Sequence, residues 1–336
     1  MKKFSIIAGL CCTVAIAYFA SMSFQVTAPP PVVNHFQDDD NLSIITMDKA
    51  ALGKGAAVGK LAKSLNNPRL NNVGEDVEYL NDADPGNFIK TNAAKGHIAF
   101  GKSTKKYEGA FKPQLLDTKS AQNVAEKFLQ DNDLMPKNKS ELKLLHAGGL
   151  RAASADDGGK VIDKMQTFTY GRVINGVPVS GNGSRIVVNM GDKGEVLGVS
   201  KKWKEFETSK SQKVQKAELK SQPEAEAEFG KLVNFNFGKG ASPKVKTIHK
   251  MYYDGGGNYI QPAYFFETTV TVTDEKGKKS EQPFLGVVSM LKNSPEAINP
   301  DPAEVAKIAK SVRTAQEGVD PNTQKKANER AGNENK

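Results

Sequence analysis

The stretch QTFTYGRVINGVPVSGNGSRIVVNMGDKGEVLGV, residues 166–199, carries the clearest alternation and the strongest turn signals in the chain. Strand-like runs lie at 165–174, 184–190 and 195–202, where aromatic and β-branched side chains recur with a period of two. Asn175-Gly176 and Asp192-Lys193-Gly194 separate these runs, because such residues tolerate the positive φ of tight turns. The stretch therefore predicts an antiparallel meander with one buried face.

Val177-Pro178-Val179 is an extended segment directly after the first turn. Proline has no N–H to donate to a neighbouring strand, so a proline within a sheet belongs at an edge or a bend. We expect this segment to lie at an exposed sheet edge, where an extended partner segment could pair with it by strand addition.

Helical periodicity precedes this meander and a second group of strands. Asp117, Thr118 or Ser120 can cap a helix predicted over 118–131, and a strand at 142–146 and a loop at 147–160 follow it. A second helix is predicted over 217–232, where Ser221 is the N-cap and Pro223 lies near the first turn. Its strands are predicted at 245–253, 259–273 and 283–291.

The order helix–meander, helix–meander predicts an α+β fold of two tandem helix-on-antiparallel-meander modules, at 88–206 and 207–293. Sequence identity between them is too low to define a repeat, and the two modules could share one sheet. A polar lead-in at 26–87 precedes them, and a short helix with a disordered tail at 294–336 follows.

The first 25 residues are typical of a targeting segment. Lys2 and Lys3 precede an apolar run at 4–20, and Ser21-Met22-Ser23 supplies the small residues of a cleavage site. Residues 4–26 carry no charge and are also long enough for an uncleaved anchor that spans a bilayer. Both interpretations predict an exported chain that is extracellular, periplasmic or anchored in the cell envelope, with membrane contact only through 4–26.

Cysteine content and charge exclude several classes of function. Cys11 and Cys12 both lie inside the apolar segment, so the exported part has no disulfide, thiolate nucleophile or cysteine metal ligand. The formal net charge is +9, but the lysines are dispersed and interleaved with acids. This pattern favours a solvated surface and no nucleic-acid partner, because nucleic-acid binding needs clustered positive charge.

The central stretch resembles a known group of modules. The matching residues are Phe168, Tyr170, Asn175, Gly176, Val177, Pro178, Val179, Gly181, Ile186, Val188, Gly194 and Val196. They resemble the FTP/PepSY-type modules, which occur in propeptides of secreted metallopeptidases and in free-standing envelope proteins. The resemblance implies a cystatin-like helix-on-sheet layer, and a role in binding, inhibiting or helping to fold peptidases or in docking other exported proteins.

No catalytic, cofactor-binding or metal residue is predicted. None of His35, His97, His146 and His249 belongs to an HExxH motif, so the metallopeptidase itself is absent. The remaining candidates are acidic or glycine-rich runs without the frame of a calcium loop, an acid–base pair, a nucleophile elbow or a phosphate loop: Asp38-Asp39-Asp40, Asp156-Asp157, Gly181-Asn182-Gly183-Ser184 and Gly255-Gly256-Gly257. The sequence therefore predicts that the protein is not an enzyme.

An aromatic cluster supplies the alternative function. Its members are Tyr252, Tyr253, Tyr259, Tyr264, Phe265 and Phe266. The leading hypothesis is a secreted or envelope-associated module that binds an exported protein or peptidase. The alternative is a structural or adhesive envelope protein that binds glycan or a surface polymer through this cluster, and the cluster is otherwise predicted to be core and cross-strand packing.

Overall fold

A computed structural model of the chain describes residues 33–36, 42–48, 56–65, 71–73, 76–81, 83–153, 161–206, 210–273 and 277–299. The predicted targeting segment at 1–25, Asp38-Asp39-Asp40, Asp156-Asp157 and the tail after residue 299 lie outside the described residues.

The described part contains three α-helices, α1 at Ala56–Ser64, α2 at Thr118–Asp131 and α3 at Gln222–Phe237. The helix predicted over 118–131 is confirmed, and the Asp117 carboxylate caps it by accepting from the Ser120 N–H at 3.0 Å. The helix predicted over 217–232 begins later and ends later than expected. Ser221 forms a capping box with Glu224 that fixes the start of α3 at Gln222.

In chain order, the strands of the described part are β1 Val33–Asn34, β2 Ser43–Thr46, β3 Asn71–Val73, β4 Asp76–Leu80, β5 Phe88–Asn92, β6 His97–Gly101, β7 Leu142–Ala153, β8 Val161–Ile174, β9 Val177–Gly181, β10 Arg185–Met190, β11 Val196–Lys202, β12 Gln212–Lys213, β13 Ser242–Asp254, β14 Tyr259–Thr273 and β15 Lys279–Ser289. Their order in the sheet is β12-β2-β14-β13-β9-β8-β10-β11-β6-β5-β4-β3. In addition, β1 pairs with β13, β15 with β14 and β7 with β8.

The predicted α+β fold of two tandem cystatin-like modules is wrong. The described strands form one large mixed sheet of fifteen strands, and strands far outnumber helices. Within that sheet β9 pairs antiparallel with β8 and parallel with β13, and β1 also runs parallel to β13. Periodicity in the sequence indicates which face of a strand is buried but not which strand lies beside it. The pairing that joins the two predicted modules was therefore missed.

Two hydrophobic cores lie against the sheet. The first packs α1 and α2 on strands β4–β8, β10 and β11, and Leu61, Leu129 and Ile186 are fully buried there. The second packs α3 on β14 and β15, where the Phe229 ring stacks on Phe266 with centroids 4.5 Å apart. The lead-in predicted as polar over 26–87 supplies buried residues to both cores.

Candidate functional site

None of the four histidines belongs to a cluster of described side chains that could bind a metal ion. His97 Nε2 lies 3.4 Å from Ser200 Oγ, and His146 lies on β7. The rings of His35 and His249 stack with centroids 5.7 Å apart. Among the described residues, no group of three or more His, Cys, Asp or Glu side chains could hold a metal ion.

Most of the aromatic cluster proposed as a glycan-binding surface is core packing. Tyr252, Tyr264, Phe265 and Phe266 are all buried, and three of them belong to the second hydrophobic core. Burial also raises the pKa of the Tyr252 phenol. These four rings cannot stack on a saccharide, whereas Tyr253 and Tyr259 are half-buried, and the alternative function stays a prediction.

The exposed edge predicted at Pro178 does not exist. In β9, Val177 and Pro178 pair with β8, and Val179 onward pairs with β13. The side chains of Val177 and Val179 are buried. Strand β9 therefore lies inside the sheet, and the absent N–H of Pro178 is accommodated at the change of partner from β8 to β13.

Two glycine-rich turns, which the sequence does not connect, meet at one buried carboxylate. Ser184 Oγ donates to Asp254 Oδ2 at 2.5 Å, and the Gly256 N–H donates to Asp254 Oδ1 at 2.8 Å. The Gly183 N–H donates to the Asp254 carbonyl at 3.0 Å. A Cβ on Gly183 would lie 2.2 Å from Asp254 Oδ1, so only glycine permits this approach. Asp254 thus fastens the turn after β9 to the turn after β13.

A buried cationic cluster lies beside this junction. Arg172 is fully buried, its guanidinium lies 4.0 Å from the centroid of the Trp203 ring, and its Nη2 donates to the Lys204 carbonyl at 2.6 Å. Its Nε lies 3.1 Å from Glu141 Oε2. Lys204 Nζ in turn donates to the Gly257 carbonyl at 2.8 Å.

Burial sets the electrostatics of this cluster. It raises the pKa of the Glu141 carboxyl, although Arg172 opposes this. It lowers the pKa of Lys201 to about 8, and Glu205 opposes this while Arg172 adds to it. Buried charges without solvent need partners in the protein, and Arg172 and Glu141 form an ion pair that meets this need. The Ser184 hydroxyl donates to a carboxylate rather than to a histidine base. The arrangement therefore stabilises the contact between the two turns and is not that of a serine nucleophile.

A cavity of about 270 Å³ opens beside α1, lined by Ser64, Leu65, Tyr79, Asn81, Asn87 and Lys102. Asn81 Oδ1 already accepts from the Ala83 N–H, and Asn87 Oδ1 accepts from the Ser103 N–H. Lys102 Nζ lies 3.5 Å from Glu195. Three of the six residues that line the cavity therefore already have polar partners within the protein.

In the part of the chain that the structure describes, β7 is a long edge of the sheet. Its ladder partner there is β8 alone, and none of its twelve residues is buried. Leu145 and Leu150 on β7 are 44% and 51% exposed, and Val161 at the start of β8 is 59% exposed. The N–H and C=O groups on one side of an edge strand have no partner in a sheet, so β7 presents a row of backbone donors and acceptors beside exposed apolar side chains.

The other long edge, β15, is protected by contrast. It pairs with β14 alone but contains Pro283, which removes a backbone donor. The Asn299 Nδ2 donates to the Val287 carbonyl of β15 at 2.6 Å. Natural edge strands commonly carry such blocks against unwanted pairing. β7 has no proline, but its register against β8 shifts between Leu144 and His146 and between Leu150 and Arg151.

Sequence reasoning missed most of β7, because it predicted a strand over 142–146 and a loop over 147–160. The strand continues to Ala153 because β8 begins at Val161 and supplies partners along its whole length. Gly148 and Gly149 interrupt the alternation of side chains, so the sequence does not indicate a strand at this point. The alternation of Leu150 and Ala152 with Arg151 and Ala153 was the signal that could have revealed it.

No described helix is both long enough and apolar enough to cross a membrane. The apolar segment at 4–26 lies outside the described residues.

No protein-family model matches the chain, and no curated protein matches it significantly. A solved structure of an uncharacterized protein from Eubacterium rectale is 12% identical, with 77% of this chain and 86% of that chain covered and a TM-score of 0.45. A similarity of this size carries no argument about function.

Proposed function

We propose that the chain is an exported, non-enzymatic binding protein that docks an extended segment of another exported protein along β7. The single observation that carries this proposal is the β7 edge, twelve residues long and without a buried residue. Export is supported by the charged and apolar residues of the first 25 positions.

The chemistry of the edge defines the partner. Apart from His146, the outer backbone groups of β7 have no ladder partner among the described strands, and an extended backbone satisfies them best by adding a strand next to the existing sheet. Specificity then comes from alternate side chains, and Leu145 and Leu150 offer apolar contacts. We therefore expect the bound segment to be extended, without proline, and to alternate apolar with polar residues.

The resemblance of residues 166–199 to FTP/PepSY-type modules favours a secreted peptidase or its unfolded precursor as this partner. Such a partner would expose extended segments before it folds. The same edge could serve inhibition, when the bound segment belongs to an active peptidase, or assisted folding, when it belongs to a precursor.

Binding of extended peptides tests the proposal. Peptides of twelve random residues would be selected by display on the purified exported chain, and their dissociation constants measured by calorimetry. We expect Leu145→Asp/Leu150→Asp to weaken the selected peptides at least tenfold, because a charge replaces each apolar contact. The matched control is Leu285→Asp, which changes an equally exposed leucine on the protected edge β15 and should leave binding unchanged.

Backbone pairing has its own signature in the same assay. Alternate residues of an added strand turn their N–H groups toward β7, so single N-methylations along a selected peptide should block binding with a period of two. Equal effects at successive positions, or equal losses in the β7 and β15 variants, would show that the peptides bind elsewhere and would refute docking along β7.

A further inference from the structure

The N-terminal strand β1 is held on the sheet through a pair of stacked histidines. It runs parallel to β13, with Val33 opposite His249, and the His35 N–H donates to the Lys250 carbonyl at 3.2 Å. The rings of His35 and His249 are 5.7 Å apart and inclined by 18°. On the opposite face, the buried Phe36 meets Tyr252 edge-on at 5.1 Å.

The surroundings of this pair disfavour positive charge. Burial lowers the pKa of His35, and His249 lowers it further. Burial also lowers the pKa of His249, while Glu267 on β14 opposes the shift. His249 Nδ1 is buried without a hydrogen-bond partner.

Few other charged groups face the rings. The neighbouring Lys250 on β13 directs its ammonium over the Tyr264 ring, 5.8 Å from the centroid. The acids at 38–40 follow β1 in the sequence and lie outside the described residues. Glu267 is thus the described carboxylate that acts on the pair, and it acts on His249 alone.

We propose that His35 and His249 form a pH-sensitive latch, which holds β1 against β13 at neutral pH and releases it in mild acid. Stacked neutral imidazoles attract each other, whereas two imidazolium ions at this separation repel. The contact of β1 with β13 involves few residues, because β1 is only two residues long. Phe36, just after β1, supplies its main apolar contact. A small electrostatic change can therefore decide whether β1 is docked.

The direction of the pH dependence follows from proton linkage. A released histidine binds its proton at the ordinary value of 6.5, and the docked histidines bind theirs only at lower pH. Docking is therefore at full strength above about pH 6.5, and it weakens by up to about tenfold per pH unit for each histidine as the pH falls below that value. It stops weakening once the docked rings are themselves protonated.

Release would change the reach of the exported chain. Residues 33–36 would leave the sheet, which adds a tether of roughly 14 Å when fully extended. Where residues 4–26 remain as an anchor, this tether lets the folded sheet move farther from the membrane surface in acid.

Amide exchange of the full exported chain tests the latch. The protection factor of the His35 amide, corrected for the intrinsic exchange rate, should fall at least tenfold between pH 7.5 and 5.5. Protection of the amides that pair β13 with β14 should not fall, since only β1 is released. The double variant His35→Phe/His249→Phe keeps two stacked rings that cannot be protonated, so the fall should disappear; His97→Gln, which removes a histidine far from β1, should retain it.

Histidine titration by NMR tests the latch in the unmodified chain, so this test does not depend on how well the variants fold. In the unmodified chain the ring signals of His35 and His249 should titrate below 6.5, and Glu267→Gln should lower the midpoint of His249 further. Ordinary midpoints for both rings, protection that is unchanged at pH 5.5, or the same fall in the double variant His35→Phe/His249→Phe would each overturn the latch.

Discussion

Arg172 shows how single residues hold the centre of the molecule. Its guanidinium has no solvent exposure, yet its charge is matched by Glu141, by the Lys204 carbonyl and by the Trp203 ring. An arginine keeps its proton under all ordinary conditions, so these partners must be in place whenever the chain is folded. Lys201, close by, is different because its proton can be lost.

Lys201 makes the stability of the folded chain vary with pH in the alkaline range. The residue is 6% exposed, and its pKa of about 8 in the folded chain lies below the ordinary 10.5. The folded state therefore carries a cost below about pH 8, and stability should rise as the pH increases from about 8 to 10.5. Lys201→Met should raise the free energy of unfolding at pH 7 by about 1–3 kcal/mol and abolish this rise.

Urea unfolding at pH 7 and pH 9 measures both effects. The control is Lys202→Met, the next residue of β11, whose side chain is exposed and should change stability by less than about 0.5 kcal/mol. A Lys201→Met protein that is less stable at pH 7 would mean that the attraction between Lys201 and Glu205 outweighs the cost of burial.

Residue-level features were predictable where they depend on neighbours in sequence. Asn175 and Gly176 adopt the positive φ of 50° and 83° that their turn requires, and Ser221 caps its helix as expected. Arg172, Trp203 and Asp254 gave no comparable signal. Their roles depend on contacts between segments that are far apart in the chain, which a single sequence does not encode locally.

At the scale of elements, the capping box of α3 is the clearest local determinant. The Glu224 N–H donates to Ser221 Oγ at 3.4 Å, and the Glu224 carboxylate accepts from the Ser221 N–H at 2.7 Å. Ser221→Ala removes one half of this exchange and should lower the free energy of unfolding by about 1 kcal/mol. Chemical denaturation measures this loss, and Ser242→Ala, an exposed serine that begins β13, should show almost none.

The boundaries of the strands were predictable only where the alternation is unbroken. Strands β14 and β10 closely match the predicted runs for this reason. β7 was cut short, since its middle is glycine and alanine and its stability comes from β8. The candidate site is this same strand, so the sequence identified only the first five of its residues.

At the scale of the whole molecule, β9 makes one sheet out of two groups of strands. It pairs with β8 on the side of the first core and with β13 on the side of the second. The Asp254 junction reinforces this contact. We therefore expect the described sheet to unfold as one cooperative unit, with a calorimetric enthalpy close to the van't Hoff enthalpy.

Gly183→Ala should weaken this cooperativity. Its Cβ would collide with the Asp254 carboxylate, so the two turns must separate and the heat-capacity peak should broaden or divide. Gly230→Ala is the matched control, because a Cβ there meets nothing within 4 Å and alanine favours the helix. Two separate transitions in the unmodified chain would show that β9 does not couple the cores.

The order of strands was the least predictable feature of all. Propensity and alternation correctly indicated many antiparallel neighbours, but the parallel contacts of β13 with β1 and β9 join segments that are distant along the chain. Such pairings depend on the shape of the completed cores, and each strand alone is compatible with several neighbours.

The pairing of β2 with β14 has a consequence for biogenesis. Ile45 lies opposite Ile260. β2 therefore leaves the ribosome long before β14, the strand that it pairs with, has been synthesised. At typical rates of synthesis of about 5–20 residues per second, that delay is roughly ten to forty seconds. Throughout this interval the nascent polypeptide cannot complete its second core, so the apolar residues of β2 have no partners in β14 until synthesis passes residue 260.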